Sequence, residues 1–237
     1  GIVGNIYLGL HEFEEMTFLL HFLSKGDVFL DVGANVGAYS LLAGGVRQAS
    51  CFAVEPLPQT FGQLEKNVKL NNLSSLIKCF QIGFGDAKSV LHFSNDKGTM
   101  NHVVDNADGS CAVPVRMIDH FIQHQDIIPG LVKIDVEGFE LPVLRGGRKL
   151  FSNPACEAVI IEINGSGKRY GFSNEEIHYF MLSHQFQPVS YDPFSRKLKS
   201  LPSFNKRTFN TIYVKNFGRV QERLLPSTPV KVFSQSS

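Results

Sequence analysis

The stretch "DVFLDVGANVGAYSLLAGG", residues 27–45, decides the fold. It begins with a short apolar run, residues 28–32, broken only by Asp31, which reads as a buried strand. Gly33 and Gly37 follow four apart, and Asn35 stands where a nucleotide-binding loop often has a third glycine. A helix is expected next, so the loop joins the carboxyl end of a strand to the amino end of a helix. Such a loop gives a ligand access to free N–H groups and to the positive end of the helix dipole.

Working outward, similar apolar runs bounded by turn residues recur: "CFAVE" at 51–55, "IKCFQI" at 77–82, "LVKIDV" at 131–136 and "AVIIEI" at 158–163. Helical patterns separate several of them. Leu57, Phe61, Leu64 and Val68 repeat at helical spacing, with "NN" closing that helix at 71–72. Strands alternating with helices predict an α/β fold with a parallel sheet and right-handed crossovers. Ahead of the first strand, residues 12–23 read as an amphipathic helix carrying Phe13, Met16, Leu19, Leu20 and Leu23 on one side. "FGDAKSVLHF" and "CAVPVRMID" predict extra strands around a turn-rich insertion at 94–110, and Ser173 with Glu176 predicts a capping box. "FQPVSYDPFSRKLKSL" and "RTFNTIYVKN" read as two strands joined by a loop. With no repeat and no clear linker, residues 1–237 are expected to form one domain. Within it, 1–26 form a helical cap, 27–165 a ligand-binding core, 166–225 a C-terminal helix and strand pair, and 226–237 a loose tail.

Composition narrows the class. A chain of 237 residues can bury roughly three quarters of its unfolded surface, so it needs neither metal nor disulfide to fold. The four cysteines, at 51, 79, 111 and 156, form no CxxC pair; they read as reduced thiols, and a cytoplasmic location is expected. "GIVGNIYLGL" has no basic n-region, so no signal peptide is expected, and no apolar run reaches the roughly 20 residues of a membrane span. Net charge is +1, but unevenly distributed: nine Lys/Arg and one acid lie from Arg196 onward, against 14 basic and 21 acidic residues before it. A basic end can attract an anionic partner; the plainer reading is a solvated hairpin and tail.

Three ligand classes compete for the glycine loop. A dinucleotide site wants G-x-G-x-x-G/A, and here those positions are Gly33, Asn35 and Ala38, so the glycine that serves the pyrophosphate is missing. A P-loop has no match in the chain. S-adenosylmethionine has no pyrophosphate, and Asp31 can support the loop or face this cationic ligand. Glu55, ending the second strand, can accept hydrogen bonds from both ribose hydroxyls of either nucleoside. After the third strand, Gly83 and Gly85 flank Phe84, with Asp86 next; Phe84 can pack on an adenine and Asp86 can pair with its edge, the alternative being a plain β-turn. The sharper motif is "LVKIDVEGFELPVLRGG", 131–147. Asp135 and Glu137, two apart at a strand end, can point the same way, and Gly138 permits a tight turn. Glu162 and Asn164 alternate onto one face of the next strand and are expected to converge with them.

These blocks, in their order and spacing, resemble the FkbM family of S-adenosylmethionine-dependent methyltransferases. The resemblance rests on "FLDVGANVGAYSLLA", "AVEPLPQTFGQLEKNVKLN", "VKIDVEGFELPVLRGG" and "VIIEIN", covers roughly residues 11–165, and extends to "FNTIYV" at 209–214. It implies a class I methyltransferase (Rossmann-like) sheet, mostly parallel with an antiparallel last strand and helices on both faces. It also implies S-adenosylmethionine as cosubstrate and O-methylation of a hydroxyl on a sugar, glycan or secondary metabolite. By that resemblance Asp31, Gly33, Asn35 and Gly37 fall in the methyl-donor loop, Glu55 on the ribose, and Asp135 and Glu137 at the active-site end of strand four. Glu12, in "LHEFEEM", matches a glutamate common before the family's first strand. "GFGD" at 83–86 departs from the family's usual Ala-Leu-Ser-Asp.

Methyl transfer asks the protein mainly to align two reactants, and a poised base helps remove the hydroxyl proton. Candidate bases are Asp135, Glu137, Glu162 and His102, the last in the insertion. His120 and His124, four apart on a predicted helix, read as a solvated face rather than a metal pair. The carboxylate cluster has the oxygen chemistry for Mg²⁺, although no metal site is expected. A nucleic-acid base methyltransferase would carry Asn/Asp-Pro-Pro-aromatic after strand four, and "DVEG" does not, so a small-molecule or glycan acceptor is expected and nucleic acid is not. Two alternatives stay open: a non-catalytic protein of this fold whose basic end binds an anionic partner, and a nucleotide-dependent oxidoreductase.

Overall fold

The structure, a computed structural model, describes residues 10–93, 103–104 and 111–226. His102, most of the 94–110 insertion and the tail beyond 226 lie outside the described residues. From the amino end, helix α1 (Phe13–Phe22) leads to β1 (Val28–Val32), α2 (Ala38–Arg47), β2 (Ser50–Val54), α3 (Pro58–Leu70) and β3 (Ile77–Phe80). Then come β4 (Gly83–Phe84), β5 (Ser89–Phe93), β6 (Val103–Val104), β7 (Cys111–Arg116) and α4 (Ile118–Gln125). The second half holds β8 (Leu131–Ile134), α5 (Glu140–Arg145), α6 (Arg148–Ser152) and β9 (Ala158–Glu162), followed by α7 (Asn174–Ser183), β10 (Gln187–Asp192), β11 (Lys197–Ser200), β12 (Asn210–Val214) and α8 (Phe217–Leu224).

The main sheet has eight strands in the order β11-β10-β12-β9-β8-β1-β2-β3. β1 pairs in parallel with β2 and β8, as do β2 with β3 and β8 with β9. β12 is antiparallel to β9, as expected of the last strand, and β11 also runs reversed, against β10. Strand order reverses beside β1, which puts the opening glycine loop at the topological switch point where ligands of such sheets bind. The stretches predicted as extra strands, "FGDAKSVLHF" and "CAVPVRMID", supply β5 and β7 of a smaller sheet in the order β4-β7-β5-β6.

Side-chain alternation splits the core into two clusters. Phe29, Cys51, Leu131, Ile160 and Ile212 point to the side covered by α1, α2, α3 and α8. Leu30, Phe52, Val132, Ile161 and Tyr213 point to the side covered by α4 to α7. Each central strand is buried on both faces, which is why these runs are almost wholly apolar. The capping box forms as predicted: the Glu176 amide donates to Ser173 Oγ (3.2 Å) and the Ser173 amide to Glu176 Oε2 (2.9 Å).

Two C-terminal expectations need correction. "FQPVSYDPFSRKLKSL" is not one strand but the hairpin β10–β11, turning where Asp192 accepts the Phe194 amide and the Ser195 hydroxyl (3.0 and 2.6 Å). The basic end is not simply a solvated face either. In α8, Arg223 reaches three partners: it donates to the Phe22 carbonyl (2.8 Å), to Glu157 (3.0 Å) and to Asp27. Arg219 pairs with Glu157 as well (2.7 Å). Cys51 and Cys156 are buried and Cys79 and Cys111 half-buried, all four as free thiols. No helix among the described residues is long and apolar enough to cross a membrane.

Candidate functional site

The strand registers align one level of residues across the carboxyl edge of the sheet. Val32 is level with Val54 and with Ile134, and Ile134 with Ile161. One residue further on, Glu55, Gly33, Asp135 and Glu162 are level on β2, β1, β8 and β9, and Asn210 of β12 stands opposite Glu162. Sequence reading expected Asp135, Glu137 and Glu162 to meet; the register brings Asp135 and Glu162 to neighbouring strand ends.

The glycine loop is tied to the sheet at its start. The Gly33 and Ala34 amides both donate to the Val54 carbonyl (2.9 Å each). Gly33 has φ +78°, and a Cβ there would lie 1.8 Å from the Asp135 main-chain oxygen. Gly37, with φ +94° at the cap of α2, would press a Cβ against Leu64 Cδ1 at 2.7 Å. These two glycines thus answer to contacts inside the protein, and Gly33 also lines both recesses beside the loop. Asn35 takes the left-handed conformation, φ 52°, which asparagine tolerates better than most residues. The Asn67 amide group holds the loop from below through the Val36 carbonyl (2.9 Å).

Two recesses open on either side of this loop. The larger, about 810 Å³ and open to solvent, is lined by Asn35, Glu55, Leu57, Ile82, Phe84 and Phe139 among others. Glu55 is only 5 % exposed; its oxygens accept the Asn35 and Leu57 amides (3.0 and 3.1 Å) and keep free lone pairs. Burial pushes its carboxyl up to about 7 against those two hydrogen bonds. Phe84 borders this recess from β4, but its ring rests on Phe121 at 5.2 Å in the core, so it is a wall more than a free stacking plate. Gly83, opposite Val115, lines the same wall, and Asp86 is exposed and lines neither recess. The glycines of "GFGD" have a packing neighbour in Val115: a Cβ on Gly85 would lie 3.0 Å from its Cγ1 and one on Gly83 3.3 Å from its Cγ2.

The second recess, about 540 Å³, is lined by Glu12, Asp31, Asn35, Tyr39, Lys133 and Asp135 among others. It shares Gly33, Asn35 and Asp135 with the first. Asp31 is 1 % exposed; Oδ2 accepts the Ser40 hydroxyl (2.6 Å), while Oδ1 has no partner. The Asn35 side-chain oxygen is likewise buried and unpartnered. Burial raises the Asp31 carboxyl, with Lys133 and Ser40 opposing. Lys133, overlooked in the sequence reading, is the buried cation of the recess. It pairs with Asp135 (2.8 Å) and lies 4.7 Å over the Tyr39 ring, whose hydroxyl donates to Glu12 (2.5 Å). Burial alone would lower the Lys133 ammonium, but Asp135, Asp31 and Glu12 outweigh it and hold it above its usual value.

Past β8 the chain turns on Glu137 and Gly138, both left-handed (φ 54° and +104°). A Cβ on Gly138 would lie 2.7 Å from Ser166, so this turn packs on the loop after β9. That conformation costs a non-glycine residue about 1 kcal/mol or more, and Glu137 is held in it by its surroundings. Glu140, also overlooked, is one of them: it accepts the Gly138 and Val136 amides (3.0 and 3.3 Å), and burial raises it to about 7. Burial and Asp135 raise Glu137, with Arg169 and Lys133 opposing. Glu162 is raised furthest, to about 8, by burial and then by Asp135, Glu137 and Glu140, and its Oε2 has no partner. Asn164 is turned away, accepting the Ser166 amide (2.8 Å). His120 and His124 lie exposed on α4. Among the described residues no group of three or more His, Cys, Asp or Glu is placed to hold a metal ion.

The edge therefore offers a buried carboxyl suited to paired hydroxyls, a recess whose unpartnered oxygens suit a cation, and carboxyls beyond both able to take a proton. Residues 31–188 match the family model described as the Methyltransferase FkbM domain. Hexuronic acid methyltransferase AglP of Haloferax volcanii is 28% identical over 156 residues, covering 65% of this chain and 62% of that protein. Methyltransferase 1 of Beauveria bassiana is 29% identical over 142 residues, covering 49% and 57%. The chain spans less than two thirds of the length of either relative. Among solved structures, Methyltransferase FkbM from Methylobacillus flagellatus superposes with a TM-score of 0.54 at 19% identity, over 84% of this chain and 47% of that one. A Streptococcus mutans protein in complex with SAH superposes with a TM-score of 0.50 at 11% identity, over 85% and 96%. At such identities the likeness concerns the fold alone.

Proposed function

The chain belongs to the FkbM methyltransferase family, and we propose that it moves a methyl group from S-adenosylmethionine to a hydroxyl oxygen of a sugar or similar polyhydroxylated acceptor. The observation that carries this reading is the pair of recesses joined at Gly33, Asn35 and Asp135. Their chemistry matches the two halves of that cosubstrate. In the larger one, Glu55 would accept the ribose hydroxyls while Leu57, Ile82 and Phe139 give the base an apolar wall. In the smaller one, the unpartnered oxygens of Asp31 and Asn35 would face the α-ammonium group.

S-adenosylmethionine supplies a methyl carbon already activated by its sulfonium. The chain's own task is then alignment and proton handling. Asp135, at the junction of the recesses and held by Lys133, fixes the negative charge that a sulfonium favours. Glu137 and Glu162 are the groups able to receive the hydroxyl proton as the oxygen is methylated. A sugar acceptor is favoured because the AglP relative is named for a hexuronic acid, and a hydroxyl because the raised carboxyls at this edge are suited to take its proton.

The rival readings meet specific obstacles. A dinucleotide pyrophosphate would sit against the unpartnered Asn35 oxygen and Asp31, which repel it. A basic end serving an anionic partner loses two of its charges, because Arg219 and Arg223 already pair with Glu157 and Asp27. Calorimetry with S-adenosylmethionine, SAH and NADH tests the assignment, followed by transfer of a labelled methyl group to glycosides. Binding of NADH with no binding of the sulfonium compound would overturn it.

A further inference from the structure

Asn210 opens β12 opposite Glu162, the last residue of β9. The Ile163 amide donates to the Phe209 carbonyl (2.7 Å), so the adjoining rung is the hydrogen-bonded one. Glu162 and Asn210 therefore form a non-hydrogen-bonded pair, in which Cα atoms approach to about 4.5 Å and side chains lie side by side on one face. Both carry a buried oxygen with no hydrogen-bond partner, Glu162 Oε2 and Asn210 Oδ1. Asn210 is only 6 % exposed. Orphaned acceptors at that depth are uncommon because leaving them unpaired costs free energy. Two on adjacent side chains mark a place prepared for incoming hydrogen-bond donors.

Position shows which molecule brings them. Along the level row, Asp135 lies two strands from Glu55 in one direction and two strands from Asn210 in the other. With strands about 4.8 Å apart, each is about 10 Å away. Glu55 borders the nucleoside half of the cosubstrate site, so the Glu162–Asn210 pair lies on the far side of the reacting centre, where the acceptor must approach. Chemistry shows the class. Burial, and then Asp135, Glu137 and Glu140, raise the Glu162 carboxyl to about 8, so it carries less charge near neutrality than an ordinary glutamate. A carboxyl of reduced charge beside an amide suits neutral hydroxyls better than an ammonium group.

We infer that Glu162 and Asn210 form the acceptor-binding subsite, gripping two adjacent hydroxyls of a sugar ring, with Asn210 as the specificity-determining residue. Hydroxyls on neighbouring ring carbons are spaced to meet two side-by-side oxygens, whereas a lone alcohol meets only one. This inference rests on methyl transfer to a sugar hydroxyl as the activity.

The test uses the full chain loaded with SAH, and saturation-transfer NMR with methyl glucopyranosiduronate, methyl glucopyranoside and, as a cationic control, cyclohexylamine. Wild type is expected to transfer saturation to the ring protons of at least one glycoside and not to the amine. Asn210→Leu should weaken that signal at least about tenfold while SAH affinity is unchanged and the melting temperature is equal or higher, since an orphaned polar oxygen has been removed. Asn210→Ala provides the same reading with less bulk. Glycoside signals that survive both substitutions overturn the subsite. So does a fall in melting temperature with unchanged glycoside contact, which would make Asn210 structural. Contact with cyclohexylamine alone, or with no probe at all, overturns the ligand class. Failure of wild type to bind SAH is a different result: it overturns the methyl-transfer reading itself, and the subsite with it.

Discussion

Gly33 passes so close to Asp135 that a single added carbon on Gly33 would stand 1.8 Å from the Asp135 carbonyl oxygen. The two residues end adjacent parallel strands, and their approach sets the floor shared by both recesses. Gly33→Ala is therefore expected to act on the fold first and on ligand binding only through it. It must either push β1 and β8 apart at the edge or unfold the protein, at a cost of about 4 kcal/mol or more. Gly165→Ala is the control: it has a similar φ of +88° but nothing within 4 Å, so only left-handed strain of about 1 kcal/mol is expected. Urea unfolding of the two variants separates clash from strain. Equal stabilities would mean that the Gly33–Asp135 approach is not a constraint.

Lys133 should prove more important to stability than an ordinary strand lysine. It is 4 % exposed and neutralises Asp135 and Asp31 beneath the recess. Removing one member of a buried pair typically costs 3–5 kcal/mol, but the Asp135 side chain is 30 % exposed and can turn to water, so about 2–3 kcal/mol is expected for Lys133→Met. The double variant Lys133→Met with Asp135→Asn should recover part of that loss. Chemical denaturation of the three proteins checks it, and an additive double variant would show that the two groups are not coupled.

How far the sequence alone carries the fold depends on how local the determining contacts are. β1 was read at its observed bounds because its burial on both faces makes a short, uniform apolar run. α8 escapes reading because it is short, with only Phe217, Val220 and Leu224 apolar besides Gly218; Arg223 fastens it to Phe22 and Asp27, which lie about two hundred residues earlier. Within the site, Glu55, Asp135 and Glu162 were legible because carboxylates at strand ends stand out against apolar runs. Lys133 has a visible signal, the one cation in "LVKID". Asn210 had none, since its meaning comes from pairing with a residue 48 positions away. The packing constraint on the glycines is not legible, because Gly33 also answers to a carbonyl on another strand.

Two opposing pH dependences are expected. Glu15, Glu55 and Glu140 are raised to about 7 and Glu162 to about 8, all with burial as the first cause. Between the ordinary glutamate value and these, the folded chain holds protons that the unfolded chain has released. Their contribution to stability is thus complete below about pH 4.5 and lost as pH rises toward 8. Without ligand, the melting temperature should be higher at pH 6 than at pH 8.5. Affinity for S-adenosylmethionine should move the other way. Ionised Glu55 is the better acceptor for ribose hydroxyls, so affinity should rise about tenfold from pH 6 to pH 8. Glu55→Gln should flatten most of that slope, and Asp31, raised in the same direction, accounts for any remainder. Calorimetry across this range decides it; a slope untouched by Glu55→Gln removes Glu55 from the ribose.

The carboxyls of "DVEGFE" are expected to separate into two kinds of effect. Glu140 accepts two main-chain amides, so Glu140→Ala leaves the Gly138 and Val136 N–H groups unpaired and should destabilise the protein by about 1–3 kcal/mol, disturbing the turn that carries Glu137. Asp135→Asn and Glu137→Gln change charge with little change in shape. Both should still fold and slow methyl transfer. Asp135→Asn removes the partner of Lys133 and the charge facing the sulfonium, so it should lower stability and the affinity for S-adenosylmethionine as well. Glu137→Gln should keep that affinity and slow transfer by roughly 10²–10⁴ if Glu137 takes the hydroxyl proton. Its left-handed backbone and raised carboxyl favour that role, since both hold the group near the junction of the recesses at a proton affinity closer to neutrality. Thermal melting, calorimetry and single-turnover transfer of a labelled methyl group, with the acceptor found by screening, distinguish the cases. If Glu137→Gln turns over at the wild-type rate while Glu162→Gln does not, the proton goes to Glu162, and Glu137 belongs to the scaffold alongside Glu140.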